Sequence, residues 1–138
     1  MIARDGIQDQ NQANNSALTQ KPLVILINDN SASASEIVAA ALQENKRASL
    51  VGTRTKGYNS IQSVNGLEKG SGLAVTIAKW LTPTGRDINR TGLNPDVVVE
   101  LTDRQHQDLF RDRKIGTTAD PQFVKALQIL NQKLPPSR

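Results

Sequence analysis

Ser33 is the residue whose type and place could most directly do chemistry. It follows an apolar run, Leu23-Val-Ile-Leu-Ile27, and an Asn28-Asp-Asn30 stop, where a buried strand is expected to turn into a helix. Backbone N–H groups at a helix start have no acceptor within the helix and carry partial positive charge. A hydroxyl held there attacks a carbonyl beside ready-made oxyanion donors, the amide of Ala34 among them. The same residue also fits a plain N-cap, because Ser33 and Glu36 have the Ser-x-x-Glu spacing of a capping box. Ser31 and Ser35 compete for either role.

A serine nucleophile needs a base. The single histidine, His106, lies in the polar stretch Thr102-Asp-Arg-Gln-His-Gln-Asp108, where nothing would hold and orient an imidazole, so a Ser-His-Asp triad is not expected. The other solution is a lysine kept neutral by desolvation. Lys56 follows the next expected strand, although a loop lysine read alone fits a solvated surface charge. The chain has no Cys, which removes disulfides, thiolate zinc sites and a cysteine nucleophile, and one His builds no multi-His metal site.

The elements that must position these residues are legible in outline. The polar, Asn- and Gln-rich residues 1–20 have little to bury and read as a mobile arm. A strand over 23–27 is followed by a helix over 34–45, with Ile37, Val38, Ala41 and Leu42 expected on its apolar face. A short strand over 49–52 and a polar loop over 53–60 come next. Strands over 61–64 and 73–80 are separated by Asn65-Gly66 and Gly70-Ser71-Gly72 turns, and a turn over 82–85 precedes a strand over 97–101. Thr102 is expected to cap a helix through Phe110. Asp120-Pro121 is a cap followed by proline at the first helical position, and residues 135–138 should end that last helix. A strand, a helix and then several strands predict an α/β domain.

The bulk numbers narrow the function. Of 138 residues, 37% are apolar, but only four are aromatic (one Trp, one Tyr, two Phe), so the core rests on Leu, Ile, Val and Ala. The net charge of +4 is scattered, without the clustered basic face or stacking aromatics of a nucleic-acid binder. No apolar run approaches the roughly 20 residues of a membrane span, and no export signal opens the chain.

Several ordered segments resemble one family. They are Pro22-Leu-Val-Ile-Leu-Ile-Asn28, Ser31-Ala-Ser-Ala-Ser-Glu-Ile37, Val51-Gly-Thr-Arg-Thr-Lys-Gly57 and Gln62-Ser63. The stretch Gly70-Ser-Gly-Leu-Ala-Val-Thr-Ile-Ala-Lys-Trp-Leu-Thr-Pro-Thr-Gly-Arg-Asp-Ile88 and Gly92-Leu-Asn-Pro-Asp96 complete the set. From Lys21 to Leu101 the chain is similar to the carboxyl-terminal processing (tail-specific) serine proteases, above all their bacterial and chloroplast members. The resemblance implies a ββα spiral like that of crotonase and the Clp peptidase, of which this chain would hold the C-terminal half, a partial domain. It divides the chain into an arm (1–20), the protease core (21–101) and a C-terminal helical segment (102–138). It implies a Ser nucleophile at Ser33, an oxyanion amide at Ala34 and, at Gln62, the Gln that orients a Lys base. No metal or cofactor is implied.

The lysine departs from the pattern. The family's Thr-x-Gly-Lys loop reads Thr55-Lys56-Gly57-Tyr58 here, so Tyr58 stands at the lysine position and Lys56 where the family usually has an aromatic. Residues two apart on an extended loop face the same way but lie roughly 6–7 Å apart, so Lys56 serves as a substitute base only if the loop rearranges. Two functions follow as expectations. One is a serine endopeptidase domain that cuts proteins near their C-termini, truncated and impaired by Tyr58. The other is a non-catalytic fragment that acts as a peptide-binding or assembly module. The partners implied are extended protein or peptide C-termini and an N-terminal half with a PDZ domain. The implied compartment is the periplasm or thylakoid lumen.

Overall fold

A computed structural model describes residues 2–3, 6, 9–14 and 16–134. The expected end of the last helix at 135–138 and several positions of the expected arm lie outside the described residues.

The molecule is built on two small sheets. Strands β2 (Val24–Ile27), β3 (Ser49–Gly52) and β6 (Val97–Val98) form a parallel sheet in the order β2-β3-β6. Helix α1 (Ala34–Glu44) makes the crossover from β2 to β3, the connection that parallel neighbours require. Strands β1 (Ile2–Ala3), β4 (Ser60–Gly66) and β5 (Gly72–Lys79) form an antiparallel sheet in the order β1-β5-β4, with a register shift between Ile61 and Gln62. A short 3-10 turn, Glu68–Gly70, closes the β4–β5 hairpin. Helices α2 (Asp103–Arg111) and α3 (Pro121–Lys133) follow, and α3 packs on β2 and β3.

One short strand lies within the first residues. Ile2 and Ala3 pair with Lys79 and Ala78 and extend the antiparallel sheet. The described residues from 9 to 20 carry no regular strand or helix. The caps of the last two helices follow the sequence pattern. The Thr102 hydroxyl accepts the Gln105 amide, and the Asp120 carboxylate accepts the amides of Gln122 and Phe123. The strand expected over 97–101 is shorter, ending at Val98.

The core lies between α1 and the parallel sheet and is closed by the 80–93 segment. It consists of Ile27, Ala39, Ala40, Leu50, Trp80, Ile88 and Leu93, with Ile25 and Ile61 packed against it. Helix α1 turns a different face inward from the one expected. Its buried residues are Glu36, Ala39 and Ala40, whereas Ile37 and Val38 are 45% and 56% exposed. The small side chains at 39 and 40 let the helix approach the sheet closely. The stripe 36, 39, 40 and 43 is a true helical face, and Gln43 continues it by donating to Asn94 O and Asp96 Oδ1. Asp96 in turn accepts the Leu50 amide at 2.7 Å and donates its own N–H to Leu50 O, fastening the end of the core to β3.

Candidate active site

The turn from β2 into α1 is tied internally. The Ser31 amide donates to Asn28 O (2.9 Å) and the Ser31 hydroxyl accepts the Asn28 amide (3.1 Å), so Ser31 is occupied in closing the turn. Ser33 then adopts φ 55°, ψ −119° at the N-cap of α1, a backbone state rarely open to a residue with a Cβ. Its side chain is exposed and, although Ser33 and Glu36 stand in the expected capping-box geometry, makes no cap hydrogen bond, the Glu36 amide donating to Ser33 O at 2.9 Å. The hydroxyl is therefore presented to solvent from a sharp strand-to-helix turn, the placement a nucleophile elbow has. The Ala34 amide, first of the helix, has no acceptor among the described residues. Ser35 is exposed, and its amide donates to Ala32 O.

Glu36 holds this elbow. Its side chain is fully buried and accepts four hydrogen bonds. The donors are the Ser33 amide (3.0 Å), the Thr55 hydroxyl (2.5 Å), the Gly57 amide (2.7 Å) and the Tyr58 amide (2.8 Å). Four donors fill the roughly four lone-pair sites of a carboxylate, which is how a buried acidic group avoids a large desolvation penalty. The consequence is geometric: one side chain fixes the Ser33 turn against the 55–58 loop. The Lys56 amide adds a second tie to the elbow, donating to Ser31 O at 3.0 Å.

On its other side the 55–58 loop is stitched to the segment before β6. Thr55 donates its amide to Leu93 O (3.0 Å) and accepts the Leu93 amide on its hydroxyl (2.7 Å), while Gly57 O accepts the Arg90 amide (2.9 Å). Gly57 has φ +84°, and a Cβ there would sit 2.7 Å from both Gly92 N and Ile88 O. Only glycine lets these two backbones meet.

The remaining sequence candidates are distributed around this frame. Tyr58 follows Gly57 with its side chain 57% exposed. Lys56 is exposed and has no ion-pair or hydrogen-bond partner for its ammonium among the described residues, so it sits outside the desolvating pocket a lysine base requires. Lys56 and Tyr58 border one open cleft with Ser60, Thr76 and Arg90. Gln62 lies on β4 just past the register shift and is exposed; neither Gln62 nor Ser33 borders that cleft. His106 is exposed on α2, away from these loops in the chain. A separate hollow is lined by Asp108, Arg111 and Asp112, whose charges pair with one another, and it contains none of the candidates.

Two features of the site were not visible in the sequence. The first is the convergence of Thr55, Gly57 and Tyr58 on Glu36, whose only local signal is the Ser-x-x-Glu box. The second is Asn59, which is fully buried and donates to Trp80 O (3.1 Å) and Asp87 Oδ1 (2.7 Å), while its own Oδ1 has no hydrogen-bond partner. Asp87 is held below its ordinary carboxyl value by the Asn89 amide first, then by the Lys79 ammonium and the Asn59 amide, against the opposing effect of burial. Among the described residues no group of three or more His, Cys, Asp or Glu side chains is arranged to hold a metal, and no helix is long and apolar enough to cross a membrane.

The chain is similar to known proteins over most of its length. A model of peptidase family S41 matches residues 1–99, starting ahead of Lys21, where the resemblance in the sequence begins. A carboxyl-terminal-processing protease of Synechocystis sp. is 46% identical over 129 residues, 94% of this chain and 29% of that protein. Carboxyl-terminal-processing peptidase 3, chloroplastic, of Arabidopsis thaliana is 50% identical over 97 residues, 70% of this chain and 19% of that protein. The solved structure of a photosystem II D1 C-terminal processing protease superposes with a TM-score of 0.63 at 45% identity, covering 70% of this chain and 25% of that one. The chain thus spans less than a third of the length of these relatives.

Proposed function

Because the chain belongs to peptidase family S41, we propose that it carries the nucleophile segment of a tail-specific serine endopeptidase, with Ser33 as nucleophile and Ala34 N–H as an oxyanion donor. The observation that carries this reading is the Ser33 turn: a strained, exposed serine in capping-box geometry whose hydroxyl makes no cap hydrogen bond, held at a helix start by the buried Glu36. In the reaction, Ser33 Oγ attacks the scissile carbonyl carbon and its proton passes to a base. The oxyanion forms against the Ala34 amide, and collapse expels the amine, which takes the proton. Water then hydrolyses the acyl ester on Ser33. The substrate is an extended polypeptide cut near its C-terminus, in the lumenal or periplasmic compartment in which relatives of this type would act. A PDZ-bearing N-terminal half is its proposed partner.

The base is the weak element. Tyr58 stands where the family's lysine is expected, and Lys56 is exposed beside it. A protonated phenol offers a far poorer proton acceptor than the neutral amine of a lysine. We therefore propose impaired hydrolysis in this chain, and that same observation favours the second reading, a peptide-binding module that no longer cuts.

The test is hydrolysis of a fluorogenic peptide with a free C-terminus, followed by mass spectrometry of the products, for the chain and for Ser33→Ala. Slow cleavage that Ser33→Ala abolishes supports the impaired peptidase. Cleavage that survives Ser33→Ala refutes the nucleophile assignment. Peptide binding without cleavage selects the second reading.

A further inference from the structure

We propose that the open cleft between the Lys56–Tyr58 loop and the turn carrying Arg90 is a binding site for a peptide carboxylate, held by Lys56 and Arg90. The cleft measures about 570 Å³ and is bordered by three cations, Lys56, Lys79 and Arg90, with no acidic side chain among its lining residues. Lys79 is already neutralised by Asp87 at 3.3 Å. Lys56 and Arg90 have no acidic partner among the described residues. Two uncompensated cations bordering one concavity favour an anion there. The hydroxyls of Ser60 and Thr76 border the same space, and neither has a hydrogen-bond partner among the described residues, so both are available as neutral donors to a carboxylate oxygen. The Tyr58 ring adds an apolar wall for the chain that bears the carboxylate.

The walls are fixed before any ligand arrives. Arg90 is held in a left-handed backbone state (φ 60°), its amide bonded to Gly57 O. The Lys56 amide is bonded to Ser31 O, and Gly57 packs directly on the backbone of residues 88–92. Pre-organised walls lower the ordering cost of binding. Ser33 does not border the cleft, but the same loop is tied through Ser31 and Glu36 to the Ser33 turn, so the cleft and the proposed nucleophile are held in one frame. The inference rests on the peptidase reading for the nature of the ligand as a polypeptide. It assigns Lys56 to binding, at a position where the resembling family usually has an aromatic.

The experiment reads binding alone, in a Ser33→Ala background that removes hydrolysis. Fluorescence anisotropy is measured with three labelled decapeptides: one neutral with a free C-terminus, one the same but amidated, and one amidated with a single internal Glu. The free-carboxylate or the Glu peptide, or both, should bind roughly tenfold more tightly than the neutral amide, as a charge-assisted hydrogen bond allows. Which of the two wins identifies the carboxylate as terminal or side-chain. The difference should shrink at high salt and vanish in Lys56→Gln/Arg90→Gln, but persist in Lys46→Gln, an exposed cation elsewhere. A Lys56→Glu variant, surface-exposed and checked for an unchanged melting curve, should prefer the neutral amide. Equal binding of all three peptides, discrimination that survives the double substitution, or no binding at all overturns the cleft assignment. Hydrolysis by the unsubstituted chain is read separately, so either idea can fail while the other stands.

Discussion

The backbone amides of Ser33 and Tyr58 donate to the same oxygen of Glu36, at 3.0 and 2.8 Å. The proposed nucleophile and the residue at the proposed base position are thus registered by one buried side chain. Glu36→Gln keeps the shape but turns one acceptor atom into a donor, so at least one of the four donors faces an N–H. Each buried donor left unpaired costs about 1–3 kcal/mol. Thr55→Val removes the hydroxyl that bridges Glu36 and Leu93 and should cost a similar amount. Chemical denaturation of the two variants should show lowered midpoints with unchanged slopes. A Glu36→Gln protein as stable as the parent would mean that the four bonds contribute nothing.

Gly57 and Gly85 share nearly the same backbone, φ +84° and +83°, but not the same surroundings. Alanine at Gly85 meets nothing within 4 Å and should lose only the left-handed backbone preference, about 1–2 kcal/mol. Alanine at Gly57 meets three backbone atoms under 3.0 Å and must also part the 55–58 loop from the 88–92 segment. The Gly57 variant should therefore be clearly the less stable in thermal melts. Equal losses would show that the close approach is dispensable.

The sequence made the strands β2, β3 and β5, the three helices and both C-terminal caps legible, because each has a local signature. It misjudged α1 because Ile37 and Val38 look like core by composition. The inward face is instead set by two alanines that let the helix sit close to the sheet and by a glutamate whose partners lie 19 to 22 residues away. The pairing of Ile2 with Lys79 has no local signal either: a two-residue strand is specified by its partner, not by its own pattern. For the site, Ser33 and Ala34 came from the strand-to-helix pattern and the resemblance together, and Tyr58 and Gln62 from the resemblance alone, whereas the missing cap hydrogen bond of the Ser33 hydroxyl and the exposure of Lys56 needed coordinates.

Glu44 staples the end of α1 to the 82–86 turn and should make stability pH-dependent. It accepts the Thr84 amide (2.7 Å) and two Arg86 N–H groups (2.6 and 2.8 Å). Burial alone would raise its carboxyl, but the Thr84 amide, the Arg86 guanidinium and the Thr82 and Thr84 hydroxyls outweigh that and hold it below the ordinary value of 4.5. With the folded pKa depressed, this stabilisation is present above pH 4.5 and fades as the pH falls through the lower folded pKa. Glu44→Gln should lower stability at pH 7 and flatten the decline between pH 5 and the acid limb. An acid limb identical to the parent's would exclude the staple as a contributor.

An apolar row is left uncovered on the antiparallel sheet. Leu73, Val75 and Ile77 alternate along β5 and are 51%, 42% and 48% exposed. Exposed rows of this kind drive association. Sedimentation should show concentration-dependent self-association that Val75→Lys reduces. A monomer at all concentrations would contradict this.

The last prediction concerns the base. Returning lysine to position 58 should raise peptide hydrolysis, because the backbone there is already held beside the Ser33 turn through Glu36. A positioned general base contributes typically 10²–10⁴-fold. The gain in Tyr58→Lys should fall toward the lower end or below it if the oxyanion hole depends on a second donor from elsewhere in the protease, since one such donor is worth roughly 10²–10³. The gain should be lost in Ser33→Ala/Tyr58→Lys. It should also fall in Tyr58→Lys/Gln62→Ala, if Gln62 orients the new ammonium as the family resemblance implies. Lys56→Ala separates the remaining assignment. If it abolishes whatever activity the parent chain has while Ser33→Ala does the same, Lys56 is the working base and the loop rearranges to bring it in. If activity is unchanged by Lys56→Ala but binding of carboxylate-bearing peptides weakens, Lys56 acts at the cleft and is not the base.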